Sequence, residues 1–332
     1  MRLEVPFSLE PMEAESVDEL PPAGKGWQYE PKVDGFRCII FRNGDQVHLQ
    51  SRRQKPLERY FPEVAAAAKT IEPTKFVLDG ELVIPGQPFD ALQLRLHPAA
   101  SRIRKLAAEI PAQFVAFDLL ADQNGRSLLL CKFAERRTAL EVMYRPLRGH
   151  PTFLLSKATR SPVTARTWLS QVGRGLDGIV AKQTDLPYRP GERVMQKFKL
   201  WRTVDCVVGG IYYRSGTEAV EYLLLGLYDE DGLLHYVGRC AIGKANGMEV
   251  ADRLAPLRGG SGFTGRMPGG VSRWSSRERE PVLLQPKLVV EAEADHIENG
   301  RFRHGSRLLR WRDDKAPETC RMDQVLPRPR RS

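Results

Sequence analysis

Apolar and polar positions change texture twice along this chain. Residues 1–26 are rich in proline and acid and hold no sustained periodicity, so they predict an extended lead-in with one short helical turn near 16–20. From Trp27 the pattern becomes strand-like. Phe36-Arg37-Cys38-Ile39-Ile40-Phe41 and Gln46-Val47-His48-Leu49-Gln50 flank Asn43-Gly44, a strong hairpin signal that sets Lys32 just before the first of two paired strands. The alanine-rich segment 61–71 predicts a helix. Residues 76–84 predict a strand in which Gly80 marks a bulge or a close backbone approach. A helix over 91–109 precedes the apolar run 114–120, which fits a buried strand broken only by Asp118. Helices over 132–143 and 164–173 and strands over 178–182 and 194–200 complete this half.

After Trp201 strands dominate, at 204–213, 220–228, 233–240, 286–293 and 307–312, with one helix over 247–256 and a glycine-rich loop over 258–270. Several short strands around one helix predict a small β-barrel, with the OB-fold as the natural candidate. A chain of 332 residues is long enough for two domains. The texture change places them at 1–201 and 202–332.

Composition narrows the function classes. No stretch approaches 18 consecutive apolar residues, and the N-terminus has neither the basic start nor the apolar core of a signal peptide. A cytoplasmic protein without a membrane partner is the expectation. Five cysteines at 38, 131, 206, 240 and 320 form no C-x-x-C pair, which argues against a disulfide framework and a structural zinc site. The net charge is +10, and residues 301–332 hold ten Lys/Arg against four Asp/Glu, an excess that suits a polyanionic partner. Arg301, Arg303, Arg307, Arg310 and Arg312 alternate with apolar or aromatic residues as strand positions do, whereas Arg328-Pro329-Arg330-Arg331 reads as a basic tail.

One six-residue stretch concentrates chemistry. Lys32-Val33-Asp34-Gly35-Phe36-Arg37 sets an amine, a carboxylate, a glycine and a guanidinium side by side. It resembles the K-x-D-G-x-R nucleotidyl-lysine motif of ATP-dependent DNA ligases and mRNA capping enzymes. Further elements of that superfamily recur in order: Ser51-Arg52-Arg53, Leu78-Asp79-Gly80-Glu81-Leu82, Phe117-Asp118, Glu135-Arg136-Arg137, Asp177-Gly178-Ile179-Val180-Ala181-Lys182, Lys197-Phe198-Lys199 and Arg312-Asp313-Asp314-Lys315. The run from Leu176 to Lys199 looks most like the small bacterial stand-alone and end-joining DNA ligases. The resemblance covers almost the whole chain.

The resemblance implies an α+β nucleotidyltransferase (adenylation) domain of antiparallel sheets and helices followed by an OB-fold domain. It implies that Lys32 attacks the α-phosphorus of ATP and carries AMP. Arg37, Arg52, Lys182 and Lys199 would surround that amine with positive charge, and Lys197 and Lys199 would face the α-phosphate. Phe117 would stack adenine, and Glu30 would accept from the adenine amino group. Asp34 would hydrogen-bond locally, to the ribose or through a metal. Glu81 and Asp177 would be ligands for Mg²⁺, or for Mn²⁺ in its place. Arg312 and Lys315 would meet the leaving pyrophosphate. Asp177 stands where the family carries glutamate and is one methylene shorter, so its metal contact is the weakest member of the set. The implied substrate is nicked double-stranded DNA, sealed by a monomer at the nucleoid in DNA repair, with end-binding or polymerase/primase proteins as partners. Two rival readings remain open at this point: an RNA ligase or capping-type nucleotidyltransferase, and a non-catalytic basic OB-type DNA-binding protein.

Overall fold

The computed structural model describes residues 3–325 except 25, 88, 174, 269–279, 295, 296, 299 and 304. The end of the loop 258–270 and the basic tail at 328–331 therefore lie outside the described residues. The chain divides into two compact units, Met1–Leu200 and Trp201–Ser332.

The first unit runs β1 (Glu13–Val17), β2 (Trp27–Val33), β3 (Phe36–Asn43), β4 (Gln46–Ser51), α1 (Pro62–Thr70), β5 (Lys75–Val83), α2 (Phe89–Arg95), α3 (Ala100–Glu109), β6 (Gln113–Ala121), α4 (Phe133–Tyr144), β7 (Phe153–Leu155), α5 (Pro162–Thr167), β8 (Leu176–Gln183) and β9 (Arg193–Phe198). These strands form a five-stranded sheet, β4-β3-β5-β6-β7, and a four-stranded sheet, β1-β9-β8-β2. The five-stranded sheet is covered on both faces. Cys38, Ile40, Leu78 and Phe114 pack under α1 and α4, while Ile39, Phe41 and Val77 pack with Met12, Tyr188 and Met195. Burial on both faces explains why its strands read as continuous apolar runs instead of alternating ones.

Two glycines do what the sequence pattern required of them. Gly44 turns the β3–β4 hairpin at φ +63°, with Asn43 opposite Gln46. A side chain at Gly80 would overlap the Phe114 ring, and the β5–β6 register shifts between Asp79 and Gly80. Other elements differ from expectation for physical reasons. Residues 16–17 are the end of β1, which pairs in parallel with β9, Ser16 opposite Lys197 and Val17 opposite Phe198. That edge pairing has no local sequence signal. The helix expected over 91–109 is two helices, interrupted at residues 96–99, where Pro98 cannot donate the helical hydrogen bond. The helix expected over 164–173 begins earlier, at Pro162 behind the Ser161 cap, and ends in a 3₁₀ turn, Trp168–Gln171. Lys32 precedes the β3–β4 hairpin as expected, and it is the next-to-last residue of a further strand, β2, which pairs with β8.

The second unit runs β10 (Arg202–Tyr213), β11 (Val220–Tyr228), β12 (Leu234–Ala241), α6 (Gly247–Leu254), β13 (Val282–Leu283), β14 (Val289–Ala294), β15 (Ile297–Glu298), β16 (Arg301–Phe302) and β17 (Ser306–Trp311). β10 closes a barrel. Its first half pairs with β14 and its second half with β11, and β12 and β17 join the remaining edges in parallel. A side chain at Gly209, on the second half of β10, would overlap the Phe263 ring, so the strand can turn there only without one. Five strands closed with a helix after the third give the OB-fold arrangement. Arg307 and Arg310 of β17 face Glu293 and Glu291 across the ladder with β14, so these two arginines already have carboxylate partners.

A buried ion pair ties α4 to the first sheet. Arg136 grips Asp118 through Nε–Oδ1 at 2.8 Å and Nη2–Oδ2 at 2.9 Å, and both side chains are excluded from water. Removing one partner strands a buried charge. Arg136→Met should therefore destabilise the first unit by about 3–5 kcal/mol in urea unfolding, and the double variant Asp118→Leu/Arg136→Met should recover most of that loss.

Candidate active site

The antiparallel pairing of β2 with β8 builds the centre of the site. Lys32 lies opposite Gly178, and the register shifts at the next residue, Val33. Gly178 has φ +143°, and a side chain on it would overlap the Phe198 carbonyl oxygen, so only glycine lets β8 run this close to the end of β9. Asp177, the preceding residue, is buried. Its Oδ2 accepts from Lys32 Nζ at 2.6 Å and lies 3.0 Å from Lys199 Nζ. Burial works against ionisation of Asp177, but the Lys32 and Lys199 ammonium groups outweigh it and hold the carboxyl below the ordinary carboxylate range. Lys199 falls one residue past β9. Lys197 is half-buried, and burial, together with Lys199, Lys32, Arg193 and Arg52, lowers its affinity for a proton.

Gly35 carries the chain from β2 into β3 where a side chain would overlap the Leu82 carbonyl oxygen and press on Glu81. Arg37 then sits opposite Glu81 on β5. Burial pushes the Glu81 carboxyl up to about 7, with Arg37 and Lys32 opposing and Asp34 and Asp79 assisting. Arg37 itself is locked. It grips Asp79 through Nε–Oδ1 and Nη2–Oδ2, both at 2.6 Å, and donates to the Met12 carbonyl at 3.2 Å. Asp79 also accepts from Tyr188 Oη at 2.7 Å, and Tyr188 Oη accepts from the Met12 N–H at 2.9 Å.

Phe117 owes its placement to a β-bulge. Asp79 faces Asp118 and Gly80 faces Ala116, so Phe117 is the extra residue on β6. Arg37 Cζ lies 4.6 Å and Lys182 Nζ 4.5 Å from its ring centroid. Lys182 is buried, donating to Glu30 Oε2 at 2.9 Å and to the Phe117 carbonyl at 3.3 Å. Glu30 Oε1 accepts from Gln28 Nε2 at 3.0 Å and lies 3.5 Å from Arg137 Nη1. Arg52 is mostly exposed and pairs with Glu13 at 2.8 and 2.5 Å.

This geometry, a lysine at a strand end beside two further lysines and buried carboxylates, accompanies direct similarity to known proteins. The model of the ATP dependent DNA ligase domain matches residues 11–199, and that of the ATP dependent DNA ligase C terminal region matches residues 216–315. The chain belongs to the ATP-dependent DNA ligases. It is 44% identical to DNA ligase C2 of Mycolicibacterium smegmatis over 350 aligned positions, covering 98% of this chain and 96% of that protein. It is 42% identical to DNA ligase C of Mycobacterium tuberculosis at the same coverage. Mycobacterial DNA ligase D complexed with ATP and MES superposes with a TM-score of 0.50 at 26% identity, over 95% of this chain and 98% of that one. A Lig E DNA ligase structure reaches a TM-score of 0.59 at 16% identity, covering 91% of this chain and 99% of that one, which shows the shared fold.

In this ligase the residues singled out from sequence separate into three groups. Lys32, Asp177, Lys199 and Lys197 come together, with Glu81 near enough to Lys32 to feel its charge and Asp34 near enough to act on Glu81. Arg37, Lys182 and Arg52 do not stand as free cations around Lys32, because Asp79, Glu30 and Glu13 each take one of them. Arg312 and Lys315 are in the second unit, both bound to Asp205. Sequence reasoning misses Asp205 and gives the holding residues Tyr188, Arg137 and Asp79 no role. Tyr188 lies in the conspicuous run Pro187-Tyr188-Arg189-Pro190, but nothing local reveals its partner.

Among the described residues no group of three or more His, Cys, Asp or Glu could hold a metal ion. Mg²⁺ needs less, since it binds through one or two carboxylates with waters and phosphate oxygens completing its shell. Asp177 Oδ1 is buried without a hydrogen-bond partner, so the carboxylate has an oxygen to offer. That single oxygen fits such an ion.

Gly178→Ala should force β8 away from the end of β9 and displace Lys199 from Asp177. Label transfer from ATP radiolabelled at the α-phosphate should slow by about a hundredfold at saturating ATP, because sub-ångström placement governs the reacting groups.

Proposed function

We propose that Lys32 is the residue through which this ligase carries AMP to the 5′-phosphate of nicked double-stranded DNA. The observation that supports it is the convergence of Lys32 and Lys199 on one oxygen of Asp177, with Lys197 alongside. Lys32 Nζ first gives its ammonium proton to water. The neutral amine then forms the N–P bond to the α-phosphorus as the bond to the β-phosphate oxygen breaks and pyrophosphate leaves, and the extra proton on nitrogen passes to water. Asp177 orients Nζ. Its lowered proton affinity makes it a poor base, and its contact with Nζ must loosen before the lone pair can attack. Lys199 and Lys197 stabilise the charge that builds on the α-phosphate. The nick 5′-phosphate oxygen next displaces Lys32 from phosphorus, and the 3′-hydroxyl then expels AMP to seal the strand.

Phe117, set out by its bulge, offers a ring to adenine, and Glu30 offers its carboxylate to the adenine amino group. Arg37, Arg52 and Lys182 shape this pocket from their carboxylate partners. A divalent cation, Mg²⁺ or Mn²⁺, would be held by Glu81 and Asp177 and would neutralise triphosphate charge. Arg312 and Lys315 serve the leaving pyrophosphate, with Trp201-Arg202-Thr203 as the hinge between residues 1–201 and 202–332.

A role in repair draws support from the multifunctional non-homologous end joining protein LigD of Mycolicibacterium smegmatis, 29% identical over 89% of this chain and 37% of that protein. We place the ligase as a monomer at the nucleoid with end-binding or polymerase/primase partners. No helix among the described residues is long and apolar enough to cross a membrane. The family match weighs against the RNA-directed and non-catalytic readings.

Lys32→Ala should abolish label transfer from ATP to protein in the presence of nicked duplex, and GTP should not label the wild type. Retained labelling in Lys32→Ala would refute the assignment. Arg312→Ala and Lys315→Ala should slow lysine adenylation while sparing the sealing of a nick that already carries a 5′-adenylate. Equal loss of both steps would count against their pyrophosphate role.

A further inference from the structure

Arg312 and Lys315 are held by a residue that belongs to none of the recognised motifs. Asp205 lies near the start of β10, 107 residues before Arg312. Its Oδ1 is 2.9 Å and its Oδ2 3.2 Å from Arg312 Nη1, and Oδ2 accepts from Lys315 Nζ at 2.6 Å. One carboxylate thus sets the spacing of both cations. The backbone of Asp205 is itself fixed, because Gln324 accepts from its N–H at 3.0 Å and donates to its carbonyl at 3.1 Å. Arg312 is fixed likewise through its N–H to the Val289 carbonyl at 2.8 Å. Asp314 grips the other edge of the guanidinium at 2.8 and 2.9 Å, but its side chain is 65% exposed against 15% for Asp205. Asp314 reaches Arg312 but not Lys315, whereas Asp205 joins the two cations and so sets their spacing.

We propose that Asp205 is a positioning residue for the pyrophosphate-releasing step, holding the Arg312 guanidinium and the Lys315 ammonium at one spacing so that both meet the leaving phosphates together. This rests on the reading of Arg312 and Lys315 given above. Asp205 touches no substrate; it acts by keeping two flexible side chains arranged before ATP arrives, which lowers the reorganisation needed in the transition state.

The test separates the two half-reactions in the full-length ligase. Lysine adenylation at saturating ATP and sealing of a pre-adenylated nick are measured for wild type, Asp205→Asn, Asp205→Glu, Lys315→Ala and Asp205→Asn/Lys315→Ala. Asp205→Asn should slow adenylation by about tenfold or more while sealing stays within about twofold. Asp205→Glu should regain part of the rate, because it restores the charge. The double variant should lose less than the two single losses multiplied together, since Asp205 acts in part through Lys315. Unchanged adenylation in Asp205→Asn, equal loss of both steps, or additive losses in the double variant would overturn the proposal. Slowing in Lys315→Ala without slowing in Asp205→Asn would overturn the proposal alone. Unchanged adenylation in Lys315→Ala would overturn the pyrophosphate reading and the proposal with it.

Discussion

Lys32 and Asp177 are 145 residues apart in the chain, yet 2.6 Å separates their charged atoms. The pairing of β2 with β8 makes that contact, and it tolerates no shift in register. A slip of one residue would send Lys32 to the opposite face of its strand and away from Asp177 and Lys199. The glycines at 35 and 178 permit this approach, because side chains there would overlap the Leu82 and Phe198 carbonyl oxygens. The close passage of these four backbone segments is thus the constraint on which the site rests.

Around that contact the charged residues fall into two populations. One gathers around the buried Asp177 carboxylate and comprises Lys32, Lys199 and Lys197, with Glu81 near enough to feel the Lys32 charge. The other is buried in pairs: Arg37 with Asp79, Arg136 with Asp118, and Lys182 with Glu30. Burying charge is expensive unless each partner is met with good geometry. The bidentate grips of Arg37 and Arg136 meet that condition and fix both β-bulge flanks around Phe117. Motif residues that look catalytic in a linear reading therefore include a framework that aims the others.

The barrel unit follows the same logic on a smaller scale. The long strand β10 closes the barrel and carries Asp205, so one element both completes the fold and arranges Arg312 and Lys315. Its exterior arginines at 307 and 310 are matched to Glu293 and Glu291, which tempers the positive surface that composition alone suggested.

Elements with strong local signals are legible in the residues themselves: the Asn43-Gly44 hairpin, the alanine-rich helix α1, the Gly80 bulge and the main barrel strands. Short or edge strands such as β1 and β7 are not, because their existence depends on partners distant in the chain. The order of motifs identifies Lys32, Phe117, Asp177 and the lysines at 197 and 199 as a chemical set. It leaves open which carboxylate takes which cation. The amino-acid sequence by itself determined the inventory of charged and aromatic groups and the strands that bear them. Only the tertiary structure decided that Asp177 holds Lys32 and Lys199, that Arg37 and Lys182 are already taken, and that Asp205 gathers Arg312 and Lys315. The reason is that the strength of an ion pair depends on distance and desolvation, and both are set by strand register across the fold.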